Sequence, residues 1–163
     1  MPALPVALHV LKLKLRIFGI YWLPVLVWML VIFGASGDSH SFKHSSRLIG
    51  PVVRWLFPQI SDHALYRVVF GVRKCAHVTE YAVLALLIWR GLRKPVRNDD
   101  RPWQWRHARL TLVLVMLYAG SDELHQAFVP TREASVLDVF IDTGGAALGL
   151  GALWMAGRWR RRW

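Results

Sequence analysis

The first long apolar run extends over residues 17–37 without a charged side chain. At about 1.5 Å of rise per residue, it covers the ~30 Å hydrocarbon core of a bilayer. Pro24 falls in its first two turns, where it predicts a modest kink of the kind that membrane helices tolerate. Three later apolar segments, 75–89, 110–121 and 143–157, are shorter. Each reaches spanning length only by taking in neighbouring polar residues: His77 and Glu80, then Asp122 to Gln126, then Asp138 and Asp142. An ionisable side chain at mid-bilayer costs at least ~2.5 kcal/mol, so these residues are expected to face the bundle interior. The pattern predicts an all-α polytopic membrane bundle of about four transmembrane helices, near 17–37, 70–90, 108–128 and 138–157, in a single domain over 1–163.

Between the first two spans the pattern predicts a short outer helix. Gly50 can cap it and Pro51 open it, with Val52, Val53, Leu56 and Phe57 on one side, Arg54 pointing away and Pro58 ending it. Ser61 is placed to cap a following helix that begins at Asp62 and runs toward the second span. The short helix either lies in the membrane interface or is re-entrant; the pattern leaves both open.

Composition supports the membrane reading. Counted with glycine and without tyrosine, the apolar share is roughly 60%, against about 45 to 50% for soluble domains. Charged residues are 19%, mean hydropathy is +0.32, and nine Trp accompany a net charge of +11. A soluble nucleic-acid binder would carry its basic residues on a polar surface, so no nucleic-acid partner is expected. A single Cys and the absence of a repeat exclude a disulfide scaffold and a solenoid.

The basic residues set a direction. Lys12, Lys14 and Arg16 precede the first span, seven Lys and Arg lie over 90–109, and Arg158, Arg160, Arg161 and Arg162 end the chain, 14 of the 21 in all. With four spans these regions fall on one side, which the positive-inside rule makes cytoplasmic. Trp89, Trp103, Trp105, Trp154 and Trp159 fall at the same boundary, as an interfacial belt would. The first run shares its layout with a signal peptide, but its length and the absence of a clear small-residue cleavage site favour a retained anchor.

The opposite ends of the last three spans carry the chemistry. His77 stands three residues before Glu80 and four before Tyr81, on one helix face with Lys74 a turn above. Asp122 faces the same way as His125 and Gln126, with Glu123 about 100° round. Asp138, Asp142, Gly145 and Gly149 form one stripe, and the glycines there permit close helix contact that brings both carboxylates inward. Each feature has a plain structural reading. His77 and Glu80 can be a satisfied hydrogen-bond pair, Asp138 a helix cap, the glycines mere packing and Cys75 an inert small residue. The convergence of three helices at one depth favours function for the cluster as a whole.

At these residues the chain resembles the VanZ-like family of small bacterial membrane proteins. The resemblance is carried by KCAHVTEYAVLALL and YAGSDELHQAFVPTREASVLDVFIDTGGAALG, together about 48 residues, with the four-helix hydropathy supporting it over most of the chain. It marks Lys74, His77, Tyr81, Asp122, Glu123, Gln126, Pro130, Arg132, Ser135, Asp138 and Gly145 as motif residues. Thr131 stands where a Gly is common, Asp142 where an Asn is common, and the Ser/Gln-rich motif after the first helix is matched only loosely by FGASGDSHS. The resemblance implies a multipass envelope protein, in a family whose named member is associated with low-level teicoplanin resistance. It implies no settled reaction and does not establish resistance for this chain.

Three functions fit these features. The favoured one is a non-enzymatic site for an envelope lipid or glycolipid headgroup open to the outer leaflet. Arg132 and Lys74 would pair with phosphate, and Asp122, Glu123, Gln126 and Asp138 would hold hydroxyls or orient those cations. A metal-dependent membrane hydrolase or transferase is the second, although no strict metal-ligand spacing is present and no metal or cofactor is expected. A proton- or ion-coupled carrier is the third; four spans are few for one unless the chain forms a homo-oligomer. The expected ligand-binding set is Lys74, His77, Glu80, Tyr81, Asp122, Glu123, His125, Gln126, Arg132, Ser135, Asp138 and Asp142. The expected location is the bacterial cytoplasmic membrane, with both termini cytoplasmic and membrane lipids as partners.

Overall fold

The structure is a computed structural model that describes residues 3–35, 42–96, 99, 101–128 and 135–160. These residues form six helices: α1 Ala3–Tyr21, α2 Leu23–Ala35, α3 Phe42–Leu56, α4 Asp62–Arg93, α5 Trp105–Gln126 and α6 Val136–Trp159. Helix formation begins well before the expected residue 17, so Lys12, Lys14 and Arg16 lie within a helix and do not precede one. The physical reason is local: Ala, Leu and Lys dominate residues 7–15, and all three are good helix formers.

Pro24 marks the α1–α2 junction. Its ring removes the donor that would bond the carbonyl of Ile20, and Arg90 Nη1 supplies the missing donor at 2.9 Å. The Arg90 guanidinium also lies over the Tyr21 ring, and Tyr21 Oη donates to the Pro95 carbonyl at 3.0 Å. Trp22 and Leu26 carry the helical bonding across the junction, so Leu8–Ala35 reads as one apolar helix of 28 residues.

α4 is central and touches all the other helices. Ser61 caps it as expected, its side chain accepting from the Ala64 N–H, and the helix then continues without a break from Asp62 to Arg93. α3 differs from expectation. It begins at Phe42, Gly50 does not cap it, and Pro51 sits inside it. Arg54 closes the turn by pairing with Asp62 at 2.6 Å. Val53 is buried, while Leu48, Val52, Trp55, Leu56 and Phe57 are exposed.

Chain direction alternates through the bundle. Trp28 meets Glu80 and Trp22 meets Gly91, so α2 and α4 are antiparallel. Tyr118 meets Met29 and His125 meets Phe33, so α5 runs with α2. α6 runs with α4, and their contact is close. A Cβ on Gly145 would sit 2.5 Å from the Val78 carbonyl oxygen, and one on Gly149 3.0 Å from that of Ala82. The glycine stripe therefore faces the bundle, as its spacing predicts. The core between the helices holds Val25, Ile32, Leu84, Ala85, Ile88, Val115, Ala119, Ala146 and Leu150.

By length and composition, two helices can cross a membrane, Leu8–Ala35 and Val136–Trp159. The core helix of a soluble protein would be mostly buried, yet only 11% and 28% of their apolar windows are. Leu30, Leu117, Leu148 and Phe140 are among many large apolar side chains left exposed, far more than the scattered few of a soluble surface. α4 and α5 fall short of the same criterion.

Candidate functional site

The polar residues of α4, α5 and α6 collect at the end of the bundle where α2 and α5 finish and α6 begins. Lys74 Nζ pairs with Asp138 Oδ1 at 2.5 Å, both side chains about a quarter exposed. Asp138 lies in the first turn of α6, where a carboxylate suits the helix dipole, and from there its side chain reaches across to α4. One turn deeper, His77 Nδ1 is 3.8 Å from Glu80 Oε2 on its own helix and 3.9 Å from Asp142 Oδ1 on α6. Both separations exceed a direct hydrogen bond and lie within ion-pair range of a protonated imidazole.

Asp122 lies between α5 and α4. Its Oδ2 accepts from Tyr81 Oη at 3.3 Å and from Gln126 Nε2 at 3.1 Å, with Tyr81, Asp122 and Gln126 all buried. Glu123, also buried, turns toward α6 and accepts the Ser135 N–H at 2.8 Å. Ser135 is the N-cap of α6, and its own side chain makes no cap bond. A carboxylate from the neighbouring helix thus takes the N-cap N–H, the donor that an N3 side chain takes in a capping box, while the N3 residue here, Asp138, is turned to Lys74. Seen with its neighbours, Glu123 ties the start of α6 to the end of α5.

The arrangement brings Lys74, His77, Glu80, Asp138 and Asp142 onto one side of the α4–α6 contact, and Tyr81, Asp122 and Gln126 onto the α4–α5 contact. His125 departs from the others. Its ring stacks on Phe33 of α2, with centroids 4.1 Å apart, so it packs between α2 and α5. Arg132 and Pro130 lie outside the described residues. Among the described residues, no group of three or more His, Cys, Asp or Glu side chains is placed to hold a metal ion.

Tyr118 and Trp28 were not singled out by the sequence, yet both line this region. Tyr118 Oη donates to the Met29 carbonyl at 2.5 Å, and its ring lies 6.2 Å from that of Tyr81. Trp28 Nε1 donates to the Glu80 carbonyl at 2.9 Å. Position 118 is one helical turn before Asp122, and that i,i+4 spacing is the signal that marks Tyr118.

The opposite end is built differently. Arg93 is only 3% exposed, its guanidinium bonded to Asp99 at 3.1 Å, to the Pro102 carbonyl at 3.0 Å and to the Arg101 carbonyl. Arg101 grips the same carboxylate at 2.7 Å and returns to the Arg93 carbonyl at 3.0 Å. The hydrogen bond from Arg101, with help from Arg93, holds the Asp99 carboxyl well below the usual carboxylate range. Arg93 and Arg101 therefore fasten the α4–α5 loop, a role beyond the expected one of orienting the chain. Trp89 also departs from the expected belt: it is buried and stacked on Trp103 at 5.2 Å.

Two apolar helices whose outer faces remain exposed fit a membrane protein. The family model VanZ/LLP1 matches residues 20–157, and the chain belongs to that family. No curated relative and no solved structure matches the chain.

Proposed function

We propose that the chain crosses the bacterial cytoplasmic membrane four times, through α1–α2, α4, α5 and α6, with both termini cytoplasmic and the acidic end of the bundle outward. The alternation of helix direction supports this topology, as does the gathering of 14 of the 21 basic residues in the sequence segments 12–16, 90–109 and 158–162. α3, with its exposed apolar face, then lies in the outer interface.

The acidic end binds or handles the headgroup of an envelope lipid or glycolipid. One observation carries this reading: α4, α5 and α6 each contribute ionisable side chains to the same end, and Asp122, Glu123 and Asp142 are buried there. Mere helix packing does not call for buried carboxylates on neighbouring helices. Lys74 and Arg132 supply the cations for a phosphate, while Asp138 orients Lys74. His77 beside Glu80 and Asp142 supports a second reading, a proton relay in an ion-coupled carrier.

The test is a thermal shift of the full chain in detergent with phosphatidylglycerol, and separately with a neutral glycolipid, using phosphatidylcholine as reference. Wild type should be stabilised by at least one of the two probes. Arg132→Lys, Lys74→Ala and Asp138→Asn should each reduce that shift while keeping the fold. An unchanged shift in a well-folded Arg132→Ala variant would remove the headgroup role from that residue. Proton uptake by vesicles containing the wild type but not Asp142→Asn would favour the carrier.

A further inference from the structure

A groove between α5 and α6 lies at the basic end, away from the acidic cluster. It has a volume of about 270 Å³, and its walls include Trp103, Trp105, Leu112, Leu150, Gly151 and Trp154. The Trp103 and Trp105 rings meet edge to face at 6.0 Å, and Trp154 stands 6.1 Å from Trp105. Arg109 lies on its rim, and the Arg158 guanidinium is 5.9 Å from the Trp154 ring centre.

These two arginines differ from Arg90, Arg93 and Arg101 at the same end. Arg93 and Arg101 are committed to Asp99, and Arg90 to the Ile20 carbonyl. Among the described residues no carboxylate pairs with Arg109 or Arg158. An apolar slot edged by cations that no described carboxylate neutralises matches a molecule with a hydrocarbon tail and an anionic head. Basic pockets between membrane helices on the cytoplasmic side are suited to such headgroups.

We infer that this groove binds one anionic phospholipid of the cytoplasmic leaflet, an acyl chain against the tryptophans and the phosphate between Arg109 and Arg158. The inference rests on the membrane topology proposed above, and not on the headgroup role of the acidic end. An uncharged tail alone would leave both guanidinium groups unused.

The experiment reconstitutes the full chain in nanodiscs of equal phosphatidylglycerol and phosphatidylcholine, extracts it in mild detergent and counts retained lipids by native mass spectrometry. One phosphatidylglycerol should be retained in preference to phosphatidylcholine. Arg109→Gln with Arg158→Gln should cut retention by about tenfold, as expected for loss of charge-assisted bonds to phosphate. Gly151→Leu tests the tail independently. Gly151 lines the slot and a Cβ there meets nothing within 4 Å, so a larger side chain has room to enter the slot, and it should also cut retention. Retention that persists in Asp122→Asn separates this site from the acidic end.

Equal retention of the two lipids, or full retention in both folded variants, would overturn the proposal. So would a disulfide between two copies carrying Gly151→Cys and Cys75→Ala, which would make a second chain the occupant. Release of the chain from membranes by alkaline wash would instead defeat the membrane topology itself.

Discussion

The two ends of the bundle bury charge in opposite ways. At the basic end, Arg93 meets Asp99 and carbonyls of its own loop, so the buried guanidinium is satisfied by residues only a few positions away. At the acidic end, Asp138 on α6 pairs with Lys74 of α4, Glu80 and Asp142 lie near His77, Asp122 accepts from Tyr81, and Glu123 accepts the Ser135 N–H. The first arrangement closes on itself and fixes a loop. The second gathers acids from distant parts of the chain, where they can orient Lys74 and hold the hydroxyls of a headgroup. Between the ends, the close α4–α6 contact holds both in register.

That contact gives the largest expected effect. Gly145→Leu would drive a side chain into the Val78 backbone and should destabilise the bundle by on the order of 3 kcal/mol or prevent folding, read as loss of cooperative melting in detergent. Gly144→Ala, where a Cβ meets nothing within 4 Å, should be neutral or slightly stabilising. Equal damage from both would mean that the two helices do not pack through the glycine stripe.

Arg93→Ala comes next, at about 3 kcal/mol, because it removes one partner of a buried ion pair and leaves Asp99 and two carbonyls short of a donor. The same network predicts a pH dependence. The folded-state pKa of Asp99 is depressed, so its stabilisation is fully present above the unfolded value of about 3.9 and is lost as pH falls below it. The melting-temperature gap between wild type and Asp99→Asn should therefore narrow from pH 6 to pH 3. A constant gap would show that the carboxylate charge is not what fastens the loop.

Tyr81→Phe should have a smaller effect, about 1 kcal/mol, since it removes one neutral donor from the buried Asp122 carboxylate and leaves the ring packing intact. If the acidic end binds a ligand, lipid-induced stabilisation should fall more than stability does. Lys94→Gly sharpens the other end. Lys94 ends α4 with φ 48° and ψ 63°, a left-handed conformation that strains a residue bearing a Cβ, so glycine should raise stability by about 1 kcal/mol.

Local patterns carried much of this architecture into view. Ser61 reads as a cap because a hydroxyl before an acidic first turn has few better uses, and Gly145 and Gly149 read as a contact stripe because their spacing shares a face with Asp138 and Asp142. The basic end was less legible. Trp89 and Arg93 look like belt and topology residues until the loop turns back and joins them to Trp103 and Asp99, and nothing in their spacing requires that return. Pro51 inside α3 and the early start of α1 escape the pattern for a related reason. A proline and the basic residues Lys12, Lys14 and Arg16 look like boundaries, yet a helix passes through both when neighbouring packing and propensity outweigh them.

The central claim is that the acidic end faces outward and the arginine-bound loop inward. In a Cys75→Ala background, Thr131→Cys and Val96→Cys can be labelled in intact cells with a membrane-impermeant thiol reagent, before and after permeabilisation. The account predicts that Thr131→Cys labels in intact cells and Val96→Cys only after permeabilisation; the reverse pattern would contradict it.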